Sequence, residues 1–222
     1  MDDAPDDDAG DLDALIRRVD PDRWMSSRFI TDPQARADVV VLYAFDHELA
    51  RAPKVASNPL IGEIRLAWWR EALDEIFQDR PVRRHPTAEA LAEVVRRRGL
   101  SRAPLETLVE ARYRELDATP MDEAEALAWA RGTAGEVAAL AVTILDASAE
   151  AEAARSAGAA WALGRRHDPL FAAELARARG DVRRLGASAF PAAAHAALAG
   201  RPHDPDLLKN LKLTWAVVRG RV

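Results

Sequence analysis

Cysteine is absent from the 222 residues, which removes disulfides, thiolate nucleophiles and cysteine-ligated zinc together. Aromatic residues make up only 6% of the chain, and no segment alternates β-branched residues over a useful length, so no β-sheet is expected. Long apolar runs are missing as well. The longest, Val137 to Leu145, falls far short of the roughly 20 residues that span a bilayer. The chain opens MDDAPDDDAGD instead of a basic-then-apolar leader, so the expectation is a protein that stays in the cytoplasm. Positive charge is not in excess. The net charge is −5, and the run Arg96, Arg97, Arg98 has no interleaved aromatics, which excludes nucleic acid as a partner.

Apolar residues, by contrast, reach 49%, with alanine and arginine abundant, and this composition places the chain in the all-α class. The length suits one domain with a sizeable core. Residues 1–11, acid-rich with little to bury, read as a disordered tail, and residues 12–222 as a single helical domain. Asx-Pro pairs mark helix starts at Asp32-Pro33, Asn58-Pro59, Asp168-Pro169 and Asp204-Pro205, each offering a capping side chain before a first-turn proline. Further helices are predicted over 12–19, 87–98, 104–116, 122–145, 150–165 and 190–198. Capping also accounts for His167-Asp168-Pro169 and His203-Asp204-Pro205. His47, His85 and His195 show no ligand spacing, so no metal site is assigned.

Two helices carry charges inside apolar arcs. After Asn58, the residues Ile61, Ile64, Trp68, Trp69, Ala72, Leu73, Ile76 and Phe77 fall on one broad arc, and Arg65 falls inside it. A buried guanidinium must pair within the bundle, snorkel outward or line a polar cavity. Glu71 and Glu75, four apart, read as surface and rim. In the preceding helix Val41, Leu42, Phe45, Leu49 and Ala52 form a core stripe, while Arg36, Tyr43 and Ala50 line up on another face. Asp46 and Glu48 point to opposite sides of that stripe. They cannot jointly hold one metal, because paired ligands need a spacing of four and the residue four after Asp46 is Ala50.

These two segments, ARADVVVLYAFDHELARAPK and IGEIRLAWWREALDEIFQDRPVRRHPTAEALAEVV, resemble the squalene/phytoene synthase family of the isoprenoid-synthase fold. The resemblance rests on an arginine seven before Tyr-Ala-Phe, on Arg-Leu-x-Trp-Trp-Arg and on a His-Pro helix start, and it covers about Asp20 to Leu145. It implies an all-α bundle, shortened at the C-terminus. Catalytic members hold magnesium on two aspartate-rich motifs, and the metal clamps the departing diphosphate. Here the first motif's outer aspartates fall on Ala50 and Lys54, and the second falls on GRRHDP, Gly164 to Pro169, where only Asp168 is acidic and stands one place out of register. DHELARAPK is closer to the branch that includes a mitochondrial assembly factor for respiratory complex I.

The resemblance therefore implies a non-catalytic binding or respiratory-complex assembly-type protein, without cofactor and with a respiratory subunit as partner. The alternative is a head-to-head prenyltransferase using magnesium and the acids Asp46, Glu48, Glu71 and Glu75. A third reading keeps the cavity without the reaction. Its candidate lining is Arg36, Tyr43, Asp46, Glu48, Arg65 and Trp68, and its ligand an isoprenoid or anionic lipid. Two features leave alternatives open. The small residues of ARGTAGEVAAL either pack closely or make room for a long apolar ligand. The stretch from Leu208 to Val222 places Leu208, Leu211, Trp215 and Val218 on one stripe among basic residues, and it either caps the bundle or lies on an anionic membrane surface, peripheral to the inner membrane.

Overall fold

The computed structural model describes residues 11–54, 59–201 and 203–222, and over these the chain is helical and without strands. In chain order the helices are α1 (Leu12–Val19), α2 (Pro21–Ser27), α3 (Pro33–Lys54), α4 (Pro59–Phe77), α5 (Pro86–Arg98) and α6 (Arg102–Tyr113). They continue with α7 (Glu123–Ala130), α8 (Glu136–Leu145), α9 (Arg155–Arg165), α10 (Phe171–Asp181), α11 (Pro191–Ala194) and α12 (Asp206–Arg219). Residues 1–10 of the expected acidic tail lie outside the described residues, as does Asn58. Asp11, placed in that tail by its composition, belongs to the fold: its carboxylate accepts from the N–H groups of Asp13 and Ala14 and caps α1.

The Asx-Pro starts fare unequally. Asp32 caps α3 through the N–H groups of Gln34 and Ala35. Asp20-Pro21, which the sequence reading passed over, opens α2 in the same way, with the Arg23 N–H as donor. Asp168 closes a turn through the Leu170 N–H, and α10 begins only at Phe171. Asp204 does not cap α12. Its carboxylate pairs with the Lys212 ammonium one and a half turns into the helix, a charged donor that outcompetes neutral backbone amides.

Helix α3 is the axis of the bundle, with α1, α4, α5, α6 and α8 packed around it. Packing by these neighbours around its middle explains why Tyr43, expected on a face apart from the core stripe, is as fully buried as Leu42, Phe45 and Leu49. Each such side chain contributes roughly 1.5–3 kcal/mol by leaving water. The carboxylates of α3 that enter this interior are paired. Asp38 is gripped by Arg97 and Arg98 from the end of α5, which accounts for most of the basic run at 96–98.

The arc predicted for α4 is corrected by the structure. Gly62, Leu66, Trp69, Ala72 and Leu73 face inward, while Ile61 and Ile64 are exposed, and Arg65 with them. Gly62 is on the inward face: a Cβ there would lie 2.3 Å from Leu116 Cδ2, so the Leu116 side chain packs directly on the α4 backbone. Arg65 is thus neither paired in the interior nor buried.

Helices α7 and α8 are joined by a π-helical turn (Arg131–Gly135). Against it lies α9, at a separation that only glycine permits. A Cβ on Gly158 would come within 2.1 Å of the Ala134 carbonyl oxygen. The small residues here bring two backbones into contact, and close packing, not space for a long apolar chain, is what they do.

Candidate functional site

A cleft of about 350 Å³ opens between α3, the α1–α2 junction, the π-helical turn and α9. Its floor is a chain of buried ion pairs. The Arg23 guanidinium donates to Asp20 and lies 2.8 Å from Asp46. The other oxygen of Asp46 accepts from Arg112 at 2.5 Å, Arg112 pairs with Glu115 at 2.6 Å, and Glu115 accepts from the Trp129 indole N–H at 2.8 Å. Arg23 is further held against the rings of Tyr43 and Trp161, with centroids at 4.9 and 4.8 Å.

The electrostatics follow from this geometry. Burial pushes the Asp46 carboxyl up, but the guanidinium groups of Arg112 and Arg23 outweigh it and hold the pKa at about 2. Burial opposes the charge on Arg23 too, and Asp20 and Asp46 more than restore it. The Tyr43 phenol, fully buried and without a hydrogen-bond partner among the described residues, is pushed above its ordinary range by burial. A carboxylate already clamped between two cations is neither a free metal ligand nor a general base.

The walls carry the opposite charge from a metal-binding cleft. Ala50 and Lys54 stand on the α3 side, one and two turns beyond Asp46. Arg165 and Arg166 stand opposite, at the end of α9. Arg165 stacks on Trp161 at 5.0 Å and reaches Asp22 at 3.3 Å; Arg166 lies over Trp129 at 4.6 Å. Lys54 and Arg166 form no ion pair among the described residues. The lining thus holds five cations, Arg23, Lys54, Arg112, Arg165 and Arg166, against three carboxylates, Asp20, Asp46 and Glu115, and all three carboxylates are paired. Among the described residues no three acidic, histidine or cysteine side chains come together where they could hold a metal ion. A magnesium ion does not fit this donor set.

The six residues expected to line one cavity are distributed over several places. Asp46 is in the cleft. Tyr43 lies behind its floor, in the core. Arg36 is half-exposed and approaches Asp13 of α1 at 3.7 Å. Glu48, Arg65 and Trp68 share a separate groove of about 380 Å³ with Arg51, where Glu48 pairs with Arg51 at 3.1 Å. The four acids of the enzymatic alternative do not converge either: Glu71 and Glu75 both grip Arg83, at 3.1 and 2.7 Å. The sequence reading missed Arg23, Arg112, Arg165 and Arg166. For Arg112 a signal existed, because it continues the apolar stripe Leu105, Leu108, Val109 at the next helical repeat.

Residues 16–165 match the family model described as squalene/phytoene synthase. The chain belongs to the squalene/phytoene synthase family. Among curated proteins it is similar to "NADH dehydrogenase (ubiquinone) complex I, assembly factor 6" of Bos taurus, with 30% identity over 103 residues, 46% of this chain and 30% of that protein. The human protein of the same name matches at the same identity and coverage, and its Dictyostelium discoideum homolog at 26% over 87 residues, 39% of this chain and 24% of that protein. The matched stretch is thus less than a third of the length of these relatives. The family match ends at Arg165, on the wall of the cleft. This member of the squalene/phytoene synthase family has its bundle packed around α3 and Lys54, Arg165 and Arg166 on the walls of its cleft.

Proposed function

We propose that this chain is a non-catalytic binding protein of the respiratory-complex assembly type, whose cleft receives an anionic group directly on fixed cations. One observation carries the reading: the cleft walls present Ala50 and Lys54 on one side and Arg165 and Arg166 on the other, and the resemblance puts the two aspartate-rich motifs of catalytic members on Ala50 and Lys54 and on the stretch Gly164 to Pro169. A guanidinium or ammonium recognises a phosphate oxygen without a bridging metal. It also supplies no site for the metal that pulls diphosphate away. The ligand class that fits is an anion-tipped isoprenoid or lipid. Similarity to proteins named as complex I assembly factors supports a respiratory subunit as protein partner.

The test is incubation with farnesyl or geranylgeranyl diphosphate and magnesium, assayed for diphosphate release and for condensed product. The expected result is neither. Turnover that disappears in Glu48→Ala or Glu71→Ala would restore the prenyltransferase reading. For the partner, crosslinking in the native organism is expected to recover a respiratory subunit, and recovery of metabolic enzymes alone removes that support.

A further inference from the structure

Helix α12 packs on the bundle with a face other than the one its apolar stripe suggests. Leu213 and Ala216 point inward, and Lys209 reaches Asp22 at 2.8 Å with both side chains buried. The stripe Leu208, Leu211, Trp215 and Val218 faces out, joined by Leu207. Exposure is 84% at Leu207, 65% at Leu211, 58% at Trp215 and 76% at Val218. A surface helix ordinarily turns polar residues to water, and a contiguous apolar face marks a surface that meets something apolar. No helix among the described residues is long and apolar enough to cross a membrane.

Beside the stripe runs a groove of about 510 Å³ between α10, the turn after α11 and α12. It is lined by Arg179, Arg201, Lys212, Arg219 and Arg221, and no aspartate or glutamate side chain lines it. Lys212 is neutralised by Asp204, and Arg179 donates to the Val222 carbonyl at 3.2 Å. Arg219 lies 3.9 Å over the Trp215 ring. Arg201, Arg219 and Arg221 form no ion pair among the described residues, in a chain whose net charge is −5. Uncompensated cations have been gathered next to the most exposed apolar face.

We propose that α12 and this groove bind the anionic phospholipid headgroups of a bilayer surface. Leu207, Leu211, Trp215 and Val218 enter the interface, and Arg201, Arg219 and Arg221 take the phosphates. Charge complementarity selects this occupant: a second copy meeting the stripe with its own α12 would set the same arginines against one another, and an apolar protein groove would leave them unmatched. An amphipathic helix with tryptophan on its apolar face and arginines along the boundary is built to lie in such an interface. The inference is independent of the cleft and its ligand.

The experiment is sedimentation of the full chain with phosphatidylcholine vesicles, with and without phosphatidylglycerol. Binding is expected only when phosphatidylglycerol is present, with affinity falling about fivefold for each arginine neutralised in Arg201→Gln and Arg221→Gln. Leu211→Ser combined with Val218→Ser is expected to abolish it. These side chains are exposed, so unchanged thermal melting identifies the loss as one of binding. Brominated acyl chains are expected to quench tryptophan emission, and Trp215→Phe to remove most of that quenching. Equal binding to neutral vesicles, or binding indifferent to the arginines, overturns the proposal. So does a concentration-dependent dimer that Leu211→Ser dissolves in a protein that ignores vesicles.

Discussion

Asp46 and Arg112, 66 positions apart in sequence, meet side chain to side chain at 2.5 Å, nearly out of contact with water. With Arg23 on its other oxygen, Asp46 ties α2, α3 and α6 together under the cleft. The acid in YAFDHELARAPK that invites a catalytic reading is thereby a structural bridge. Removing one member of a buried ion pair strands the charge that remains, which is worse than never having had the pair.

Asp46→Asn leaves two buried guanidinium groups short of one carboxylate. Urea denaturation is expected to show a loss of about 3–5 kcal/mol. A loss below about 1 kcal/mol would mean that water reaches the pair and screens it.

His195 gives the protein an acid limit. It is fully buried, neither ring nitrogen has a partner among the described residues, and its ring meets Trp161 edge-on at 5.5 Å. Burial, helped by the Arg23 charge, lowers its pKa from 6.5 to about 3. The unfolded chain takes up the proton near pH 6.5 and the folded one only near pH 3, so stability present above 6.5 is lost as pH falls through that window. The slope is at most about 1.4 kcal/mol per pH unit. Denaturation midpoints measured against pH are expected to flatten there in His195→Phe. Asp46 acts in a lower window: its stabilisation is complete above its ordinary 3.8 and disappears as pH falls toward 2.

The contact between α9 and the π-helical turn is expected to reject a methyl group. Gly158→Ala drives a Cβ into the Ala134 carbonyl and should destabilise by roughly 1–3 kcal/mol. Gly180→Ala in α10, where a Cβ meets nothing within 4 Å, is expected to stabilise by about 0.4–1 kcal/mol. Thermal melts of the two variants moving in the same direction would refute the packing account.

The fold was largely readable because its signals are local. Asp32 has its capping amides within three residues, and the predicted helix at 12–19 coincides with α1, although its cap, Asp11, was assigned to the tail. The site was harder to read because its parts are remote. Arg112 and Asp46 meet because α6 packs on α3, and no local pattern announces such a meeting. Helical periodicity alone also misplaced α4: it counted Ile61 and Ile64 as core, whereas the helix turns Gly62 and Leu66 inward, with Leu116 packed on Gly62. Tyr43 erred the other way, since one stripe cannot describe a helix whose middle is packed by several neighbours. What the sequence did display was the lack of acids at Ala50 and Lys54 and a single, out-of-register acid, Asp168, between Gly164 and Pro169; that arginines fill the opposite wall became visible only in three dimensions.

Calorimetric titration with inorganic pyrophosphate, once in EDTA and once in magnesium, tests the cleft most directly. Fixed cations predict binding in EDTA that magnesium does not strengthen, and that Arg166→Glu or Lys54→Glu abolishes while the fold stays intact. Binding that appears only when magnesium is added, and that survives those substitutions, would contradict a cleft in which Lys54, Arg165 and Arg166 stand where metals would be held.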